Sequence, residues 1–302
     1  MPVLIGQLAA LATSFVWSFT SILFTLSGRE VGSRIVNRTR LLFAVVFVAL
    51  AHLALYGKLL PLGAEPFRWN WLALSGLIGF VVGDGFLFQA FVVLGPRLSM
   101  LLMALAPVLS AVLGWLVLGE RLAVQELIGI GLVVGGVALV VTDRANEGAQ
   151  RPAGADRQYG LGLLFGLGAA LGQALGLFAS RKGLVGDFPA LSGVLIRLLA
   201  ATVVMWAFAL ARRQGQPTIE ALREHPRALW AIIGGAFGGP FVGVWLSLIA
   251  VQRAPLGIAS TLMSLSPVVL LPIGRFLYHE SIAVRGVLGT LIAVAGTVLL
   301  FL

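Results

Sequence analysis

The sequence predicts an all-α membrane protein of about ten transmembrane helices, arranged as two inverted five-helix repeats. Three observations lead to this prediction: an apolar composition, a series of long apolar runs, and a duplication at a fixed spacing. Of the 302 residues, 59% are hydrophobic and only 11% are charged, and the mean hydropathy is +1.01. Soluble domains carry roughly 25% charged residues, so lipid has to solvate much of this chain.

Long apolar runs recur from one end of the chain to the other. A helix that crosses ~30 Å of hydrocarbon needs about 20 mostly apolar residues. We place such runs at 3–26, 35–56, 71–93, 98–118, 123–142, 159–180, 188–211, 228–251, 256–277 and 283–302. The first run is longer than the core of a signal peptide, so we interpret it as the first span.

A polar stretch divides the runs into two sets of five. We therefore predict a first repeat at 1–142, a linker loop at 143–158 and a second repeat at 159–302. Many glycines within the runs are spaced by four, as in Gly79/Gly83 and Gly172/Gly176. This spacing lets a second helix approach closely, which suits both simple helix packing and helices that slide during transport.

The duplication is visible when the sequence is compared with itself at an offset of 160 residues. Over the fourth and fifth runs, the comparison has 13 identities in 38 ungapped positions. It aligns Pro107 with Pro267 and Glu120 with Glu280, which apolar composition alone would rarely align. Five is an odd number of spans, so the second repeat enters the membrane from the opposite side. Inverted repeats are a recurrent construction of secondary transporters, whose sites lie near the midplane.

The duplicated pattern also resembles a known family. A proline-containing span that ends in a glutamate and precedes two glycines occurs twice: Pro107 to Glu120 with Gly129 and Gly136, and Pro267 to Glu280 with Gly289 and Gly296. This pattern resembles the EamA-type repeat of the drug/metabolite transporter superfamily, over essentially the whole chain. The sequence departs from this pattern at His279, which replaces the glycine before the second glutamate.

The resemblance implies a ten-helix carrier. We expect a multi-pass protein of the bacterial inner membrane that is a monomer or homodimer. Bacterial members commonly export amino acids or other small metabolites, and relatives move sugars, nucleotide sugars or sugar phosphates. We therefore expect a secondary transporter that exports amino acids by alternating access. The alternatives are a permease for sugars or phosphorylated sugars, and a non-transporting scaffold or lipid-handling subunit.

Ionisable residues within spans are the first candidates for a substrate site, because burying them in lipid is costly. Asp84 lies mid-span between two glycines, where it could bind a substrate ammonium or carry a coupling proton. Arg40 and Arg197 occupy matching places in the two repeats at an offset of 157, and a guanidinium can clamp a carboxylate or phosphate. Each has a structural alternative: an ion pair for Asp84, and contact with the interface or a helix end for the arginines.

Further polar and aromatic side chains are expected to line the same cavity: Trp17, Ser21, Gln89, Gln173, Trp245 and Ser264. Pro107 and Pro267 each remove a backbone hydrogen bond, so we expect kinks or hinges in the fourth and ninth spans. Glu120 and Glu280 stand where they could cap the fifth and tenth spans.

Several function classes are disfavoured by the sequence. Cysteine is absent and only three histidines are present, so no metal or other cofactor is expected. The charges are spread thinly between apolar runs, so the net charge of +9 indicates contact with the lipid bilayer rather than with nucleic acid. We find no catalytic constellation for an enzyme. No phosphate-binding loop is present, so transport of a small-molecule substrate would be gradient-driven or facilitative.

The loop charges conflict with the orientation typical of the resembling family. With both termini in the cytoplasm, the cytoplasmic loops would hold six Lys and Arg residues and the exterior loops eleven. The positive-inside rule favours the reverse orientation.

Overall fold

The computed structural model describes residues 2–118, 123–146, 155–186, 188–253, 262–277 and 284–301; this part of the chain is helical and contains no strand. The first half comprises α1 (Pro2–Val31), α2 (Ser33–Tyr56), α3 (Pro66–Gly76), the π-helical segment π1 (Leu77–Gly83), α4 (Asp84–Leu94), α5 (Pro96–Met103), α6 (Leu105–Leu118) and α7 (Val124–Asn146). The second half comprises α8 (Ala155–Gly183), α9 (Ala190–Ala211), α10 (Gly215–Glu224), α11 (Pro226–Ala236), the π-helical segment π2 (Phe237–Gly243), α12 (Val244–Arg253), α13 (Ser266–Leu277) and α14 (Val284–Phe301).

Within the described residues, eight helical stretches are long and apolar enough to cross a membrane. Two of them are composite: α3, π1 and α4 run on as one span, and so do α11, π2 and α12. The ninth and tenth segments of the repeat architecture are α13 and α14. The predicted all-α fold built from two repeats is therefore confirmed.

Glycine and proline set the short connections between spans. Gly32, between α1 and α2, has a φ of 85°, and Gly95, between α4 and α5, has a φ of 83°. Residues with a side chain rarely adopt this left-handed region. Pro66 and Pro96 occupy the first helical positions of α3 and α5, where the missing N–H is not needed. Because Pro66 starts α3, that span begins five residues before the predicted position 71.

The predicted boundaries also differ from the structure at the end of α1, which continues to Val31 rather than 26, and around the predicted linker. α7 continues through Asn146 and α8 begins at Ala155, so helix covers both ends of the predicted linker. The predicted caps Glu120 and Glu280, and His279, lie outside the described residues. In the first turn of α7 the carboxylate of Glu126 accepts a hydrogen bond from the amide of Ala123 at 2.6 Å.

The contact between α7 and α14 shows how the repeats are related. A Cβ added to Gly136 would lie 2.5 Å from the carbonyl oxygen of Gly289, and one on Gly296 would lie 2.7 Å from that of Gly129. The offset of 160 converts the first contact into the second, which is the reciprocity of a two-fold axis. The residue numbers of both pairs add to 425, so these equivalent helices are antiparallel. The two repeats are therefore inverted.

A second glycine contact brings α8 against π1. A Cβ on Gly172 would lie 2.5 Å from Cα of Gly83, and one on Gly176 would lie 3.1 Å from Cα of Gly79. The two backbones thus touch along the four-residue spacing seen in the sequence. This contact holds a helix of the second repeat against the irregular span of the first.

Candidate functional site

Helices α2 and α9 lie side by side in opposite directions, which gives their residues relative heights in the membrane. Nε1 of Trp206 donates to the carbonyl oxygen of Arg38 at 3.1 Å, and Nε2 of His52 lies 2.9 Å from Oγ of Ser192. The residue numbers in each pair add to 244, as expected for antiparallel helices with the same rise per residue. Residues of α2 and α9 whose numbers add to 244 therefore lie at about the same height.

Two equivalent arginines lie near the middle of this pair of helices. α2 and α9 are equivalent in the two repeats at an offset of 157. Residues that are equivalent and also at the same height are therefore those near 43–44 on α2 and 200–201 on α9. The two-fold axis passes the two helices at this level. Arg40 and Arg197 are three to four residues from that level, or about 5 Å on opposite sides of it. From the predicted spans Arg40 was expected close to the membrane interface, but α2 begins at Ser33, which places Arg40 further inside.

Arg40 is bound on several sides by the first repeat. Its Nη2 atom donates to the carboxylate of Asp84, which forms an ion pair with it. Its Nε and Nη2 atoms also donate to Oδ1 of Asn37, at 3.1 and 2.9 Å. Asn37 in turn donates from Nδ2 to the carbonyl oxygen of Phe80 at 3.0 Å, in π1. The arginine is thereby fixed between α2 and the junction of π1 with α4.

Three aromatic rings enclose the same guanidinium. Its central carbon lies 4.6 Å from the ring centroid of Phe88, 5.7 Å from that of Phe24 and 5.9 Å from that of Phe80. The rings come from α4, α1 and π1, so each helix of this corner contributes one. Cation–π contacts of this kind gain strength when water is excluded. Arg40 is buried, with 4% of its side chain exposed, whereas Asp84 keeps 14%.

Arg197 has a much simpler environment. Its guanidinium carbon lies 4.8 Å from the ring centroid of Phe80, and it interacts electrostatically with Asp84. The side chain is buried, and its Nε atom has no hydrogen-bond partner among the described residues. A Cβ on Gly76 would lie 2.2 Å from the carbonyl oxygen of Arg197, so the backbone of α9 rests directly on α3.

Phe80 therefore contacts both guanidiniums, one from each repeat. It lies in π1, whose wider turn changes the direction of the side chains that follow. π-helical bulges of this kind are frequent at functional sites. π1 and π2 occupy positions that match at the repeat offset of 160, so both halves carry the same irregularity at the same place.

The other predicted site residues occupy several environments rather than one cavity. Two of the polar ones already have partners within the protein: Oγ of Ser21 donates to the carbonyl of Ser18 at 2.7 Å, and Oε1 of Gln89 accepts from Oγ of Ser33 at 2.6 Å. Gln173 is partly buried beside Gly172 on α8.

The two predicted tryptophans lie at the second π segment. A Cβ on Gly243 would lie 2.7 Å from Nε1 of Trp17, and Trp245 stacks on Phe241 with ring centroids 5.9 Å apart. Ser264 is in the turn before α13. The structure thus brings Asp84, Arg40 and Arg197 into one electrostatic group near π1. The two tryptophans lie at π2, which is the segment of the second repeat equivalent to π1.

Both predicted hinge prolines follow a break in the helix. α5 ends at Met103 and α6 begins at Leu105, so Pro107 is the third residue of the new helix. Residues 264–265 form the corresponding turn before Pro267. A hinge at these breaks stays a prediction.

The sequence reasoning did not select the residues that surround Arg40. Asn37 could have been found, because a residue three positions earlier shares the helix face of Arg40. Phe24, Phe80 and Phe88 carry no such signal, since aromatic residues at these spacings are indistinguishable from lipid-facing ones in a span.

Comparisons with known proteins agree with this architecture. A family model described as the EamA-like transporter family matches residues 4–142 and again residues 160–302. No curated protein matches the chain. A solved structure described as "Crystal structure of protein" is similar at 19% identity and a TM-score of 0.67, covering 97% of this chain and 94% of that chain. At this identity the likeness shows the fold alone.

Proposed function

The chain belongs to the EamA-like transporter family, and from this premise we propose that it is a secondary transporter that exports amino acids by alternating access. The family is one of small-solute transporters rather than of enzymes, and its apolar helices make the chain a multi-pass membrane protein. The finer claims concern the solute, the direction and the mechanism.

One observation supports the proposal most directly. Arg40, Arg197 and Asp84 form a charged group close to the two-fold axis between inverted repeats. A solute held there would lie near the midplane between the repeats, where transporters built from inverted repeats commonly bind their substrates. A guanidinium is suited to a carboxylate because its donors form a planar fork, and every amino acid carries a carboxylate.

The proposed mechanism of alternating access is based on the structural equivalence of the two repeats. Two copies of one unit can exchange conformations, so that one face opens while the other closes.

Counterflow in proteoliposomes tests the proposal. Purified protein is reconstituted with unlabelled amino acid inside, and uptake of labelled amino acids is measured for the wild type and for Asp84→Asn. We expect saturable uptake that Asp84→Asn reduces, because the amide can no longer neutralise Arg40. Glu220→Gln makes the same chemical change on the exposed surface of α10 and should leave uptake unchanged.

A permease for phosphorylated sugars is the second candidate, favoured by the two guanidiniums of the site. Uptake of sugar phosphates with no uptake of amino acids would replace the amino-acid proposal. Absence of any saturable flux from folded protein would support the scaffold alternative and contradict transport.

A further inference from the structure

We infer that the transported solute is a small organic anion with a net charge of −1, held by Arg197 through a carboxylate or phosphate group. This inference rests on the proposed transport function and narrows it to one charge class. Its basis is the difference between Arg40, whose Nε and Nη2 atoms are bonded within the protein, and Arg197, whose Nε atom has no hydrogen-bond partner among the described residues.

Arg40 has little capacity left for a solute. Nε and Nη2 are occupied by Asn37 and Asp84, and three rings surround the planar group. If the Arg40 guanidinium moved to bind a solute, the ion pair with Asp84 would break and the aromatic rings would be exposed. Arg40 therefore serves to hold Asp84 in place.

Arg197 retains unused donors. Phe80 covers one face of its guanidinium, but Nε has no hydrogen-bond partner among the described residues, although the side chain is more than nine-tenths buried. A buried charged donor without a partner is costly. A planar carboxylate or a phosphate is the chemical group that best satisfies the edge of a guanidinium.

The charge balance indicates the net charge of that solute. Six carboxylate side chains are described, and five of them lie at the surface or at a helix end: Glu30, Glu65, Glu126, Glu220 and Glu224. Only Asp84 faces the two guanidiniums, so this group carries a net charge of +1 among the described residues. A zwitterion would leave that charge uncompensated in a region of low dielectric, whereas a solute of charge −1 would cancel it.

The exposed part of the Asp84 side chain indicates which amino acids could bind at this site. Only its Oδ2 atom is bonded to Arg40, and part of its side chain is exposed. An acidic amino acid could place its ammonium at the other oxygen and one carboxylate at Arg197. It would then satisfy both residues and still bring a net charge of −1.

Two pairs of probes that differ in charge but little in shape test the inference. L-glutamate is compared with L-glutamine in counterflow and in thermal stabilisation of the solubilised protein. Dimethyl phosphate, a diester of charge −1, is compared with its neutral ester trimethyl phosphate in thermal stabilisation. For at least one pair we expect the anion to bind about tenfold or more tightly than its neutral partner, since each tenfold step requires only ~1.4 kcal/mol. The pair that responds distinguishes a carboxylate from a phosphate.

Variants of the arginines identify the residue responsible. Arg197→Gln should abolish the preference for the anion, because the group becomes neutral, and Arg197→Lys should retain it with weaker binding. Arg212→Gln is the matched control, since Arg212 is exposed at the end of α9 and also stacks on a ring, that of Phe208, with its guanidinium carbon 5.0 Å from the ring centroid. Circular dichroism and gel filtration confirm that each variant is folded.

Equal or stronger binding of the neutral partners in both pairs would overturn the inference, as would an unchanged preference in Arg197→Gln. Failure of the transport function gives a different result: no flux of any probe in counterflow. In that case thermal stabilisation by the anion, lost in Arg197→Gln, would still support the anion site.

Discussion

Arg40 and Arg197 occupy equivalent positions in the two repeats, yet their environments are unlike. Arg40 has a carboxylate, an amide and three rings around it, whereas Arg197 has a single ring and an unpaired Nε atom. The position that corresponds to Asp84 in the second repeat is Val244. Among the described residues, the two equivalent cations thus have one counter-ion between them. This difference is the reason why we propose a structural role for Arg40 and a ligand for Arg197.

The two π segments show the same divergence. Gly83 in π1 meets the backbone of α8, whereas the equivalent Gly243 in π2 meets the side chain of Trp17. A backbone cannot move aside without moving its helix, but an indole can rotate. The contact in the first repeat is therefore the more rigid of the two.

The largest effect is expected from separating the ion pair. Asp84→Ala leaves Arg40 buried without its counter-ion and should lower the free energy of unfolding by about 3 kcal/mol. Arg197→Ala removes a cation that has no direct ion pair among the described residues, and this variant should cost less. Chemical unfolding of the purified protein in detergent measures both. If the two variants are equally destabilised, the assignment of a structural role to Arg40 alone is wrong.

The next effect concerns the glycine contacts. Gly172→Ala should destabilise the protein by about 1–3 kcal/mol, because the new methyl group would press on the backbone at Gly83. Gly243→Ala should cost less, since Trp17 can rotate. Gly135→Ala is the control, because nothing lies within 4 Å of a Cβ at that position in α7. An equal loss in Gly172→Ala and Gly243→Ala would contradict the difference in rigidity.

A carboxylate can also be added where the second repeat lacks one. Val244→Asp should lower the apparent affinity for the solute by about tenfold, equivalent to ~1.4 kcal/mol, because the new charge competes with the solute for Arg197. Val244→Asn brings similar volume without charge and should have a smaller effect. The concentration dependence of counterflow gives both values. Identical affinities for the two variants would show that Val244 does not face Arg197.

The smallest effect is expected at the prolines that follow the helix breaks. Pro107→Ala and Pro267→Ala should each slow counterflow by a factor of about three, with less than ~1 kcal/mol of change in stability, because the breaks already exist on the N-terminal side of each proline. Pro66→Ala, at the first residue of α3, is the control. Unchanged rates in both variants would argue against a hinge at these positions.

Much of this architecture was accessible from the sequence. Hydropathy gave the spans, and the offset of 160 gave the repeats and their inversion. The same comparison paired Arg40 with Arg197. The π segments were not predicted, since an extra residue in a helical turn changes neither composition nor apolar periodicity enough to be seen.

The residues of the charged group show where prediction from sequence ends. Asp84, Arg40 and Arg197 were selected because ionisable residues are costly in lipid, and that reasoning is local to each span. Which arginine binds Asp84, and that Phe80 contacts both arginines, depends on distances between helices far apart in the chain.

By itself the sequence determined that lipid surrounds much of this protein, that the protein is helical, and that its two halves are related repeats. These follow from hydrophobicity and length, which act on each segment separately. Only the tertiary structure decided which of two equivalent guanidiniums is neutralised. That outcome arises from packing, because a carboxylate on one helix can approach only the cation that its neighbours bring within reach.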